Sequence, residues 1–177
     1  ILLKNRKIDL CVSGINHGSN ASINIIYSGT MSAAMEASIE GIHSIGFSLE
    51  DYAMDANFDP GTPWIRLIIE HVLSNGLADS KLLNVNIPHS SLGPIRGMKI
   101  CRQAEGRWEE EFVEGVDPRG QKFYWLTGNF ATNDTVEGTD ISALREGFIS
   151  IVPSSHDLTH HRAIPALKSL ESIKHIV

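Results

Sequence analysis

From Ile8 to Val12 the chain is a short apolar run (IDLCV) that ends at Gly14, the pattern of a strand buried on both faces of a parallel sheet. The polar segment Gly14–Asn20 (GINHGSN) follows as a loop at that strand's carboxyl end. Met31–Ile39 reads as a helix, opened by Ser28-Gly29-Thr30 and closed near Gly41, with Ala33, Ala34 and Ala37 small enough for close approach to a sheet. His43–Leu49 alternates, with Ile45, Phe47 and Leu49 on one side. Strand, loop, helix and strand make a βαβ unit and predict a mostly parallel α/β sheet. Thr62-Pro63 opens a second helix, with Thr62 as N-cap and Pro63 at the first helical position. Ile65, Ile68, Ile69, Val72 and Leu73 carry its spacing to Gly76, and Leu82–Ile87 (LLNVNI) is a further strand stopped by Pro88.

The pattern then changes. Gly97–Leu126 alternates, with Asp117-Pro118-Arg119-Gly120 as the turn between Glu111–Val116 and Gln121–Leu126, which predicts a projecting antiparallel β-hairpin. Five of the chain's twelve aromatics lie on this arm: Trp108, Phe112, Phe123, Tyr124 and Trp125. Thr139–Arg145 is a short capped helix, Phe148–Pro153 a strand and Ala163–Ile176 a terminal helix. The chain thus divides into residues 1–96 (α/β core), 97–138 (arm) and 139–177 (return to the core and terminal helix).

Composition narrows the function classes. The formal charge is −6 and the isoelectric point near 5.7. A protein that grips a nucleic-acid polymer carries a basic face, so such a partner is not expected. Cys11 and Cys101 form no framework and read as reduced, packed thiols. The longest apolar stretch, Trp64–Leu73, is interrupted by Arg66, Glu70 and His71, short of the ~18 residues that span a bilayer. Ile1-Leu2-Leu3 runs at once into Lys4-Asn5-Arg6-Lys7, unlike a signal peptide, and the glycosylation matches at Asn20 and Asn133 then carry no weight. The expectation is a cytoplasmic protein with no membrane partner.

Three segments can carry chemistry. Ser13–Asn20 lies where α/β sheets collect ligands, although a tight βα turn explains its glycines as well, and it is neither a dinucleotide fingerprint nor a P-loop. Tyr27-Ser28-Gly29-Thr30 places hydroxyls and free N–H groups at a helix start, either as an oxyanion cradle or as an ordinary N-cap. Ser154–His161 holds an Asp and three histidines; His160 and His161 are adjacent and point apart, so an Asp–His proton-transfer pair fits better than a zinc site.

Together and in this order, Asp9–Asn20 (DLCVSGINHGSN), Tyr27–Glu36 (YSGTMSAAME), Asn84–Pro88 (NVNIP), Glu146–Pro153 (EGFISIVP) and Asp157-Leu158-Thr159 resemble the SurE (survival protein E) family of metal-dependent 5′/3′-nucleotidases. The resemblance implies a Rossmann-like core with helices on both faces, a projecting hairpin, and a homodimer or tetramer built by exchange of arm and helix. It implies hydrolysis of nucleoside 5′- and 3′-monophosphates with one Mg²⁺ or Mn²⁺ per subunit, and it extends to exopolyphosphatase activity. By motif position, Asn16 is similar to the family's metal-ligating Asn, while Asn20, Ser28, Gly29 and Thr30 look like the residues that line the phosphate. Asp157 and His161 match, at i and i+4, an acid/base pair proposed in some members.

One departure stands out. The family's metal site opens with an Asp-Asp pair, and no adjacent Asp pair occurs here. One neutral Asn does not hold a hard cation. With the apolar start lacking Met, this predicts that the sequence is the later part of a longer nucleotidase and that these 177 residues alone are inactive. The alternative is a non-catalytic nucleotide-binding or assembly protein that has kept the cradle without the carboxylates.

Overall fold

The computed structural model describes residues 5–134 and 136–173. Its main sheet contains β1 (Cys11–His17), β2 (Ser44–Leu49), β3 (Leu82–Ile87), β4 (Met98–Ile100) and β7 (Ile149–Ser154), in the order β1-β2-β3-β7-β4. β1, β2 and β3 are mutually parallel, β7 runs antiparallel to β3, and β4 is parallel to β7. The mostly parallel α/β fold is therefore present, with a reversal at β7.

The faces of this sheet differ in chemistry. Ile45, Phe47, Leu49, Leu83, Val85, Ile87, Ile149 and Ile151 form one core cluster with Ile68 and Val72, the buried residues of helix α2 (Thr62–Asn75). Fully burying one such side chain stabilises the fold by about 1.5–3 kcal/mol. The other face carries Ser44, Gly46, Ser48, Asn84, Asn86 and Ser150, with Leu82 and Val152 beside them, under helix α1 (Gly29–Ile39) and helix α3 (Asp140–Arg145). All the polar members of that set are buried, and a Cβ at Gly46 would collide with the Met31 thioether of α1.

Several local expectations need adjustment. β1 begins at Cys11, three residues later than the predicted Ile8, and runs on to His17, absorbing half of the predicted loop with a register shift between Ser13 and Asn16. Gly14 makes this possible: its φ is +120°, and a Cβ there would strike the Phe47 carbonyl oxygen. Thr62 is not an N-cap but the first helical residue, preceded by a 3₁₀ turn at Asp59–Gly61. Met98–Ile100 belongs to the main sheet, so the arm begins at β5 (Arg107–Val116) and returns through β6 (Lys122–Ala131).

The predicted terminal helix is a correction. His161–Ala163 and Lys168–Ser172 are 3₁₀, with only Ile164–Leu167 α-helical between them. Ile164, Leu167, Leu170 and Ile173 recur every third residue, the repeat of a 3₁₀ helix rather than of an α-helix. All four are exposed. The predicted end of this helix, 174–176, lies outside the described residues, as does Thr135.

Candidate active site

The carboxyl end of β1 brings Asn16 into register with Ser48 of β2, which is in register with Asn86 of β3. Asn86 in turn faces Ser150 of β7. A polar row thus crosses the sheet near the carboxyl edge of its parallel strands, where open α/β sheets place ligands. The Asn16 amide nitrogen donates to the carbonyls of His17 (2.8 Å) and Gly18 (2.9 Å), folding the loop around it. Its Oδ1 accepts from the Thr30 hydroxyl at 3.2 Å.

That hydrogen bond joins two of the sequence-derived site segments. Ser28 is the N-cap of α1, its Oγ accepting the Met31 N–H at 3.1 Å. The capping role therefore holds for Ser28, which is buried. Among the described residues, no hydrogen bond takes the N–H of Gly29 or Thr30, and nothing lies within 4 Å of a Cβ built on Gly29. Unpaired donors at a helix start carry partial positive charge and attract anions.

Asn20 is placed less openly than its motif position implies. It is buried, its Nδ2 donates to Ser48 Oγ at 2.7 Å, its N–H donates to Asn86 Oδ1 at 2.7 Å, and its carbonyl accepts from Asn84 Nδ2 at 2.8 Å. Asn86 Nδ2 donates to Asn84 Oδ1 at 3.0 Å. One donor hydrogen of the Asn20 amide is left for a ligand.

Asp140 is a residue that sequence reading missed. It is fully buried and accepts three backbone N–H groups, from Ser22 (2.8 Å), Ala104 (2.9 Å) and Ile141 (2.8 Å). It ties the connection between Asn20 and α1 to the root of the arm and the start of α3. The only available signal was an Asp directly after the capping Thr139. At the carboxyl end of β2, Asp51 accepts the Gly18 N–H through its carbonyl at 2.9 Å and lies 3.7 Å from His89 Nε2. Burial pushes the neighbouring Glu50 carboxyl above its ordinary pKa.

Asp157 and His161 do pair, with His161 Nε2 2.8 Å from Asp157 Oδ2. Hydrogen bonds from Thr159 and then from His161 hold the Asp157 carboxylate well below its usual range. The pair does not meet the cradle within one chain. Because β7 is antiparallel to β3, Ser154 lies opposite Leu82 at the amino end of β3, and the chain leaves the sheet at the edge remote from Asn16. The cavity that Asp157 helps to line includes Ile25, Met35 and Val152 but none of Asn16, Asn20 or Thr30.

The metal expectation can be tested on the donor set. Among the described residues, no group of three or more His, Cys, Asp or Glu side chains is disposed to hold a metal ion. Asn16 offers a single amide oxygen, already accepting from Thr30. Mg²⁺ and Mn²⁺ need several hard oxygen ligands, so these residues do not by themselves fit the ion.

Comparison with known proteins agrees with this geometry. The family described as "Survival protein SurE" matches residues 1–110. A protein of Christiangramia forsetii named 5′-nucleotidase SurE is 56% identical over 93% of this chain and 63% of its own length. The protein of that name from Flavobacterium psychrophilum is 55% identical over 93% of the chain and 64% of its own. The chain thus spans slightly less than two thirds of these relatives. The crystal structure of the SurE protein from Aquifex aeolicus superposes with a TM-score of 0.78 at 36% identity, covering 97% of this chain and 69% of that one. With a buried Asn-Ser row beneath a helix-start cradle, and with these matches along its length, the chain belongs to the SurE family.

Proposed function

We propose that the protein containing this chain hydrolyses nucleoside 5′- and 3′-monophosphates to nucleoside and phosphate, and that these residues supply its phosphate cradle. The observation that carries this reading is the Thr30–Asn16 hydrogen bond, which sets a hydroxyl and two unpaired helix-start N–H groups at one edge of the sheet. The N–H groups of Gly29 and Thr30, with the remaining Asn20 amide hydrogen, bind the phosphate oxygens, while the Thr30 hydroxyl, whose one proton goes to Asn16, holds the helix start in place. The same donors stabilise charge that builds on those oxygens during P–O cleavage. The names of the relatives support the substrate class.

A divalent ion, Mg²⁺ or Mn²⁺, belongs to this reading through the family. Asn16 is the residue here that would contribute an oxygen to it, and no step is drawn through the ion because the described donors do not complete its shell. Asp157–His161 is likewise assigned no step with the cradle of its own chain. A cytoplasmic location accords with the −6 charge and with the lack, among the described residues, of any helix long and apolar enough to cross a membrane. The arm supports assembly into a homodimer or tetramer: Phe112, Tyr124, Trp125 and Leu126 are each at least 60% exposed, and an isolated two-stranded ribbon is marginal in water.

The incomplete donor set favours a second reading, a nucleotide-binding or assembly protein without catalysis. One experiment separates the two. The intact protein is titrated with nucleoside monophosphate in the presence of Mn²⁺, and bound nucleotide and released phosphate are both measured. Release of phosphate that falls in Thr30→Val supports the enzyme; saturable binding with no release supports the binder.

A further inference from the structure

We propose that Asn86 and Asn84 are positioning residues for the phosphate cradle: they act by clamping the backbone of Asn20, which fixes the path of the loop that begins at Asn16. The inference rests on the reading of that cradle as a phosphate site. Neither residue can touch a ligand, since Asn86 is 0% and Asn84 2% exposed.

These side chains serve stability as well, because the Asn20 N–H and carbonyl that they satisfy are buried. They occupy a central strand, where Asn is disfavoured, and the opposite face of the same strand is wholly aliphatic. What the two amides provide is direction. Asn86 Oδ1 takes the Asn20 N–H at 2.7 Å and the Ser19 hydroxyl at 3.3 Å, while Asn84 Nδ2 reaches the Asn20 carbonyl at 2.8 Å. The Asn86–Asn84 bond orients both amides, so that one presents its oxygen and the other its nitrogen. At the loop's other end, the Asn16 amide gathers the carbonyls of His17 and Gly18. Asp51 holds the Gly18 N–H between these two anchors. The loop is therefore pinned from both ends before any ligand arrives, and such preorganisation lowers the ordering cost of binding.

The row also contains a built-in control. Ser150 is the sheet partner of Asn86 and fully buried, yet its hydroxyl has no hydrogen-bond partner among the described residues. Ser150→Ala disturbs the same row without touching Asn20.

The test uses the intact protein and inorganic phosphate as the probe, with binding measured by calorimetry well below the melting temperature of each variant. Asn86→Ala is expected to weaken phosphate binding at least tenfold, and Ser150→Ala to leave it within twofold of the parent. Amide hydrogen exchange should show Asn20 losing protection in Asn86→Ala but not in Ser150→Ala. If Asn86→Ala fails to fold, Asn84→Ser decides in its place, since it removes the donor to the Asn20 carbonyl; at least threefold weakening supports the clamp. Phosphate affinity within twofold of the parent in the folded variant, whatever its melting temperature, overturns the proposal. Failure of the cradle reading looks different: Thr30→Val and Gly29→Pro would then bind phosphate as the parent does, or the parent would bind none.

Discussion

The Thr30 hydroxyl donates to the Asn16 amide oxygen at 3.2 Å, joining the end of β1 to the first turn of α1. Thr30→Val keeps the shape and removes the donor. The bond lost is a neutral one to Asn16, worth about 0.5–1.5 kcal/mol, so phosphate or vanadate should bind roughly 2- to 10-fold more weakly through the loosened cradle. Asn16→Ala should lower nucleotide hydrolysis by at least roughly tenfold, about 1.4 kcal/mol in barrier, with the fold retained by circular dichroism. Unchanged binding with a lowered melting temperature would leave Thr30 as a helix residue only.

Asp140 offers a stability test away from the cradle. Asp140→Ala strands three buried N–H groups at once, and the expected loss is about 3–5 kcal/mol by urea unfolding. Asp140→Asn keeps the oxygen that serves Ala104 and Ile141 and turns an NH₂ toward the Ser22 N–H, so it should cost less, about 1–3 kcal/mol. Equal losses in the two variants would show that Asp140 acts by volume and not by accepting hydrogen bonds.

Glu50 sets a pH dependence whose sign can be worked out. Burial raises its pKa above 4.5 in the folded state, so between the unfolded and folded values the native state binds more protons. Stability then falls as pH rises through that interval. Glu50→Gln should raise the melting temperature at pH 7, and the gain should vanish below about pH 4, where the carboxyl is protonated in both states. Calorimetric scans at the two pH values check this; a gain that persists at low pH would point to some other cause.

The arm gives a prediction about mass. Glu111 pairs with Thr127 and the next pair outward toward the root is residue 110 with Gly128. Removing 111–127 and bridging the root with Gly-Ser should leave the sheet folded. If the arm carries assembly, light scattering should show the shortened protein at a lower mass than the parent. An unchanged mass would assign assembly to another surface.

Much of this architecture was readable from the sequence. Leu82–Ile87 was legible to the residue because a continuous apolar-flanked run between Ser80 and Pro88 leaves no other register. The two polar segments that hold Asn16 and Thr30 stood out within one short connection, while the hydrogen bond between them came only with the structure. Other features carried no local signal. A strand's apolar pattern is the same whichever way it runs, so the antiparallel β7, and with it the remote position of Asp157 and His161, was hidden. The role of Asn84 and Asn86 was hidden too, since nothing nearby in sequence indicates that Asn20 lies over them. Asp140 was obscure for the same reason: two of its three donors, Ser22 and Ala104, lie 118 and 36 residues away.

The two faces of the main sheet also imply two different rules for change. Against α2, the requirement is volume, and Ile, Leu and Val can exchange there with modest cost provided the space stays filled. At Asn84 and Asn86, on the face toward α1, a replacement must restore particular donors and acceptors, and very few side chains reproduce those of an Asn. A saturating library of single substitutions would therefore separate two sets of positions in β3: broad aliphatic tolerance at Leu83, Val85 and Ile87, and near-complete intolerance at Asn84 and Asn86. Neighbouring codons in one six-residue strand would drift at quite different rates.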